Sequence, residues 1–190
     1  MKISFRTDAL LAALECAAVK DLRAYITGVC IRIKKPSVGM IYGTDGFMAF
    51  AGQLPFEGEC SSLDIIIPSE IIKKLNKKQE RVELEHDNSQ YLIGGMRFIP
   101  LEGTFPDVGR VIPTIDTGTP QLPANFNPDL LIKARKALRL YTGAKNEFSL
   151  FQRGEDAAVM HSGTNDCLVV VGSLRESRSP KFAGFNREFM

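Results

Sequence analysis

One pattern occurs three times along this chain of 190 residues. Phe5-Arg6-Thr7-Asp8 opens the apolar run from Ala9 to Val19, Ile67-Pro68-Ser69-Glu70 opens Ile71 to Lys78, and Phe126-Asn127-Pro128-Asp129 opens Leu130 to Leu138. In each, a small polar residue suited to capping a helix is followed by an acid that favours the positive end of the helix dipole. Pro128 adds a residue whose missing N–H costs nothing in a first turn. The expected caps, Thr7, Ser69 and Asn127, lie 62 and 58 residues apart. A strand-like segment precedes each helix and alternating segments follow it, so the chain reads as three βαβββ units. A repeat of about 60 residues means a modular fold. Its class is α+β, with two such units forming a domain whose helices lie together on one face of a continuous sheet.

The first unit runs from Met1 to about Ser61. Its strand Lys2 to Phe5 leads into a helix with Leu10, Leu11, Leu14, Ala17 and Ala18 at helical spacing. Strands are expected near Tyr25 to Ile33, Gly39 to Tyr42 and Phe47 to Leu54. The second unit has a strand Leu63 to Ile67, a helix Ser69 to Lys78, and strands Arg81 to Glu85, Gln90 to Ile93 and Met96 to Leu101. His86 to Ser89 reads as a turn, and Glu102 to Val111 as an irregular segment with Gly103, Pro106 and Gly109. Thr114 to Pro123 holds Gly118, Pro120 and Pro123 without apolar periodicity, and reads as a linker at a domain boundary. The third unit, Ala124 to Arg175, has the capped helix and strands near Phe148 to Gln152, Ala157 to His161 and Cys167 to Val171. The chain thus divides into a complete domain (1–113), a linker (114–123), a half domain (124–175) and a tail (176–190).

Composition removes several classes of function. A net charge of +2 is too small to argue for nucleic acid by itself, so local clusters must carry that case. Cys16, Cys30, Cys60 and Cys167 are scattered without a CxxC pair and there are only two histidines, which does not make a zinc site. They read as reduced thiols of a cytoplasmic protein. No apolar run approaches the roughly 20 residues of a membrane-spanning helix. No phosphate-cradling glycine loop is present, and neither His86 nor His161 has partners at the spacing of a triad or metal site. The expectation is a binding protein rather than an enzyme, with no catalytic residues, no metal and no cofactor.

Several stretches resemble the bacterial sliding clamp, the beta subunit of DNA polymerase III. Tyr25-Ile26-Thr27-Gly28-Val29, Gly43-Thr44-Asp45-Gly46-Phe47-Met48, Ile65-Ile66-Ile67-Pro68 and the long run from Leu101 to Pro113 make residues 1–113 similar to the middle domain of that family. Phe126-Asn127 and Val169 to Arg175 make residues 124–175 similar to the second half of its last domain. The family's protomer has three domains of two units each, and two protomers close a ring around DNA, so this chain corresponds to half as many units. Phe47-Met48-Ala49 stands where the family shows His-Arg-Leu, and Gly172-Ser173-Leu174-Arg175 where it ends in Met-Pro-Met-Arg.

The resemblance implies a groove between middle and last domains that accepts short apolar peptides of polymerases and other clamp partners. Carried over by position, Ile26, Thr44, Gly46, Phe47, Met48, Pro106, Arg110 and Val111 form one side, and Asn127, Leu130, Gly172, Ser173, Leu174 and Arg175 the other. Read without the resemblance, the same residues are core positions and plain turns. The resemblance also implies a helix surface facing double-stranded DNA without reading its sequence. Lys73, Lys74, Lys77 and Lys78 on the second helix, and Lys133, Arg135, Lys136 and Arg139 on the third, fall outside the apolar stripes. A solvated helix face is the other reading of such runs. Glu147-Phe148-Ser149-Leu150-Phe151 looks like a clamp-binding peptide but falls where the repeat requires a strand, with Phe148 and Leu150 as core. Phe182, Phe185 and Phe189 in the tail are weak candidates for docking.

Two functions follow. One is a short sliding clamp that tethers polymerase-type partners to DNA as a homo-oligomeric ring, where four chains of three units would match the family's count. The other is a non-encircling clamp-like adaptor or competitor for such peptides, in a phage or mobile-element setting. The unpaired third unit is expected to expose a sheet edge, covered either by another chain or by the tail.

Overall fold

The computed structural model describes residues 1–35, 38–87, 90–113, 125–144, 148–153, 157–163 and 166–174. The expected linker, Arg175 and the tail with its three phenylalanines lie outside them. The first unit comprises β1 (Lys2–Arg6), α1 (Thr7–Glu15), β2 (Gly28–Lys35), β3 (Val38–Thr44) and β4 (Met48–Glu59). The second comprises β5 (Leu63–Pro68), α2 (Ser69–Lys74), β6 (Arg81–Asp87), β7 (Gln90–Ile93) and β8 (Met96–Phe98). The third shows α3 (Pro128–Thr142), β9 (Ser149–Arg153), β10 (Ala157–His161) and β11 (Cys167–Gly172). Its described part begins at the helix, with Asn125 to Asn127 irregular ahead of it.

Among the described residues, the strands join in one sheet of eleven, ordered β5-β2-β3-β4-β1-β6-β7-β8, with β11, β10 and β9 branching from β4. Units one and two exchange strands reciprocally. β1 pairs with β6, setting Ile3 opposite Leu84 and Phe5 opposite Val82, and β2 pairs with β5 from Gly28–Pro68 to Ile33–Leu63. The third unit joins through its last strand. β11 pairs with the first part of β4, from Cys167–Gly52 to Val171–Met48, while β1 pairs with the far part, from Phe56 to Glu59. Pro55 lies between these two pairings and contributes no ladder N–H.

The helices share one face of the sheet. α1 packs on both α2 and α3 and on β2, β3 and β4. Gly43 lets the backbone of α1 approach β3, since a Cβ there would run into Ala13. Beneath the helices lies one core that includes Phe5, Leu10, Phe50, Ile67, Leu84, Leu138, Val169 and Val171, drawn from all three units. On the opposite face, residues 99–113 form a strap. It buries Phe105 and Val108 against Cys30, Ala49, Ala51 and Ile66, and Leu101 N–H donates to the Ile66 carbonyl at 2.9 Å.

Several expectations are corrected. Thr7 and Ser69 do not cap their helices; they are the first helical residues, after Arg6 and Pro68. The ladders explain this. β1 stays paired through Arg6–Arg81 and β5 through Gly28–Pro68, so the strand runs directly into the helix. Asn127 carries no such pairing and does cap, its side-chain oxygen accepting from Asp129 N–H at 2.9 Å. The second helix stops at Lys74 because Leu75 turns extended into the core and Asn76 closes a turn on Lys78 N–H. Lys77 and Lys78 therefore lie beyond the helix. α1 ends at Glu15, leaving Ala17 and Ala18 buried in the loop that follows. Ala24–Ile26 is a 3-10 turn instead of the start of a strand, closed by Thr27 N–H and hydroxyl on the Ala24 carbonyl. His86 belongs to β6, stacked on Tyr91 at 4.1 Å. One edge of the third unit, that of β11, is covered by β4 of the same chain. Leu150 is not core: it is 46% exposed.

Candidate functional site

A groove of about 470 Å³ opens where the strap, the Thr44–Met48 turn and β11 converge. Its lining is mainly apolar and its size is that of a ligand pocket. Three local structures shape it. In the turn, Thr44 hydroxyl donates to the Met48 carbonyl at 2.7 Å, and Asp45 accepts from both Phe47 and Met48 N–H at 2.9 Å. Gly46 has φ +89°, a conformation that glycine adopts at no cost and that swings Phe47 outward. Phe47 is 72% exposed at the rim, while Met48 is buried.

In the strap, Asp107 accepts from Gly109 N–H at 3.1 Å and starts the 3-10 turn Val108–Val111. That turn anchors Val108 in the core and leaves Val111 exposed at the groove. On the far wall, Gly172 N–H donates to the Phe47 carbonyl at 2.8 Å, tying β11 to the turn. Leu174 N–H donates to the Asn125 carbonyl at 2.7 Å, so the chain leaving β11 is held against the segment entering α3.

Two charged residues, Arg23 and Asp107, are among those lining the groove. Arg23 is held by Asp21 through Nε and Nη2, both at 2.9 Å. The side-chain and backbone hydrogen bonds from Arg23 bring the Asp21 carboxyl down to about 2. The guanidinium lies over Gly46, where a Cβ would come within 3.0 Å of Nη2. A fixed guanidinium beside an apolar trough can orient a peptide through a carbonyl or carboxylate.

Of the residues that the resemblance singled out, Ile26, Thr44, Gly46, Phe47, Met48, Pro106, Val111 and Gly172 line this groove together. Arg110 is exposed on the same 3-10 turn but is not part of the lining. Asn127 is occupied as the α3 cap and Leu130 is buried beneath that helix, so neither faces the groove. Ser173 and Leu174 follow the far wall without lining it. Sequence reasoning missed Arg23, Ala49, Asp107, Val108, Ala157 and Val170. Most of these stand inside or beside the stretches already noted. Ala157 is brought in only by its pairing with Gly172.

On the helix face, Lys73, Lys74, Lys133, Arg135, Lys136 and Arg139 are exposed along α2 and α3, and Lys77 and Lys78 in the turn after α2. Lys136 is paired with Glu15 of α1 at 2.7 Å.

No family model and no curated protein sequence matches the chain. Solved structures do. The DNA polymerase sliding clamp of Bacillus subtilis superposes with a TM-score of 0.71 at 15% identity, over 93% of this chain and 64% of that one. This is a sliding-clamp fold. The Pseudomonas aeruginosa DNA polymerase III beta subunit matches at 0.70 and 14%, over 92% of this chain and 66% of that one. The Helicobacter pylori beta clamp bound to a DNA ligase peptide matches at 0.70 and 11%, with the same coverage. The chain thus spans about two thirds of the clamps it resembles. At these identities the likeness is one of fold. Among the described residues, no helix is long and apolar enough to cross a membrane, and no cluster of metal-ligating side chains occurs.

Proposed function

We propose that this clamp-fold chain is a non-enzymatic replication protein that recruits polymerase-type partners by holding a short apolar peptide in the groove. One observation carries this: two sequence-distant regions, 23–49 and 106–111 in one part and 157–172 in the other, meet to line a single apolar trough. The H. pylori clamp was solved with a DNA ligase peptide, which favours a peptide as the kind of occupant. In this reading residues 1–113 are one complete clamp domain and 124–175 half of another. Phe47 and Leu174, at 72% and 52% exposure, offer apolar rims to a bound segment. Arg23 in the lining, with Arg110 exposed on the neighbouring 3-10 turn, sets its polarity.

The test is fluorescence anisotropy with a labelled Gln-Leu-Ser-Leu-Phe peptide. Saturable binding is expected, weakened at least about tenfold, or 1.4 kcal/mol, by Val111→Asp or Leu174→Asp. No binding at high micromolar peptide would sink the reading.

A second reading adds DNA, motivated by the exposed cations on α2 and α3. A ring of such chains would hold duplex DNA without sequence preference. Its association should weaken steeply with salt, and the slope should shrink when Lys73 and Lys133 are replaced by Gln. Peptide binding without DNA association would leave the non-encircling adaptor.

A further inference from the structure

The last described strand delivers the chain to the groove. Gly172, at the end of β11, lines it, and its N–H is tied to the Phe47 carbonyl at 2.8 Å. Two residues on, Leu174 N–H is fixed to the Asn125 carbonyl at 2.7 Å. Residues 175–190 continue from that fixed point, and they carry Phe182, Phe185, Phe189 and Met190 among charged, polar and small residues. Large aromatic side chains in a polar segment gain by leaving water. The groove is an apolar surface within their reach. Ala157 of β10 stands opposite Gly172 of β11, and Val170 of β11 opposite Ala49 of β4, all four in the lining. Neighbouring strands lie about 4.8 Å apart, so these three strands make a floor roughly 10 Å across. An extended chain covers about 3.3 Å per residue, so the stretch from Leu174 to Phe182 spans up to roughly 26 Å and has slack to turn back.

We infer that the groove is occupied by the chain's own segment 182–190, which a partner's peptide must displace; this rests on the groove being a peptide site. Three features support that occupant. The rim offers Phe47 and Val111, at 72% and 53% exposure, as apolar surface for its rings. The lining carries both signs of charge, on Arg23 and Asp107, and Arg187-Glu188 presents both signs beside Phe189. Such pairs fix the orientation of a bound segment more than they add affinity. The third feature is the tether. A segment joined at the rim acts at an effective concentration of about 1 mM, so one that binds as a free peptide at only about 0.1 mM still fills the groove most of the time. An incoming peptide then binds about tenfold more weakly than it would to the empty groove.

The chain contains no tryptophan, so Phe185→Trp places a single reporter in the segment. Its emission should be blue-shifted in the 190-residue chain, equally at every protein concentration. It should move to the red when unlabelled Gln-Leu-Ser-Leu-Phe is added, and Val111→Asp should abolish the blue shift. Separately, Phe182→Ser, Phe185→Ser and Phe189→Ser combined should tighten binding of the labelled peptide at least about tenfold, or 1.4 kcal/mol. Emission typical of a solvated indole overturns the proposal. So does a blue shift that Val111→Asp leaves in place, because the segment then docks elsewhere. A blue shift that grows with protein concentration puts the segment in a second copy and overturns the intramolecular contact. Equal peptide affinity with and without the three rings overturns this proposal alone and leaves the groove reading standing. Absence of peptide binding in both chains overturns the groove reading and this proposal with it.

Discussion

Unit one makes two junctions, and they are built differently. Toward unit two it exchanges strands in two ladders, β1 with β6 and β2 with β5. Toward unit three it shares one ladder, β4 with β11, and packs α1 broadly on α3. The first junction is closed on the sheet. The second is sealed only on the helix side, by residues such as Ala134, Ala137, Leu138, Val169 and Val171. On its other face the single ladder leaves room between strap and strand, and that room is the groove. A groove can thus arise where two modules are joined by fewer strands than they could share.

The comparison predicts unequal responses to core damage. Phe5 lies between Phe56 and Val82 and is fully buried, so Phe5→Ala should cost about 3–5 kcal/mol and lower the urea midpoint of the whole molecule. Leu138→Ala removes a fully buried side chain beneath α3, at about 2–5 kcal/mol. Its effect should appear first as faster amide exchange in β10 and β11, with β6 still protected. If β6 loses protection equally, the two junctions are one cooperative unit and the contrast fails.

Alkaline pH probes the same contrast. Burial pushes the Cys167 thiol and the Tyr141 phenol, both at the second junction, up to about 12. Burial does the same to Cys30 beneath the strap. Unfolded, these groups ionise near pH 9 and 10, so their contribution is intact below those values. It is lost progressively as pH rises toward 12, because only the unfolded chain can release the proton. Stability should therefore fall above about pH 9, and Cys167→Ala should flatten that slope in denaturant titrations at stepped pH.

A smaller effect is expected at the groove wall. A Cβ on Gly172 would stand 3.0 Å from the Phe47 carbonyl oxygen, crowding the hydrogen bond that ties β11 to the turn. Gly172→Val should narrow the trough and weaken the labelled peptide about tenfold, roughly 1.4 kcal/mol, with a smaller change in melting temperature. Equal losses in both would mean that the wall is structural and not a binding surface.

The repeat was legible because it is local: a small polar residue and an acid at each helix start, apolar periods and turn residues recur at nearly equal spacing, and β7 and β10 fall where alternation placed them. Much of the groove lining was legible too, because Thr44-Asp45-Gly46 and the Leu101–Pro113 run are distinctive stretches. Leu130 was misread because a residue one turn past a cap is apolar whether it faces a groove or a core. Arg23 was missed because its role depends on Asp21 and Gly46, which only the fold brings together. The packing of α3 on α1 was hidden for the same reason. Nothing in either helix names its neighbour, and Ala134 and Ala137 read as ordinary helix formers until a second helix lies against them.

The helix starts give the finest form of the comparison. Thr7 and Asn127 look alike in sequence, each a small polar residue before an acid. Asn127 sits outside any ladder and caps α3, so Asn127→Ala should cost about 1 kcal/mol. Thr7 is locked into the strand-to-helix passage: its N–H donates to the Glu80 carbonyl at 2.9 Å, and its hydroxyl is buried without a partner. Thr7→Val keeps the shape and removes that hydroxyl, and a buried oxygen without a hydrogen bond is a cost. The substitution should leave stability unchanged or raise it by up to about 1 kcal/mol, read as a shift in urea midpoint at constant slope. Loss of stability in Thr7→Val comparable to that in Asn127→Ala would mean the hydroxyl does cap α1 in solution. The first unit would then enter its helix as the third does, and the strand ladder would not be what decides which residue caps.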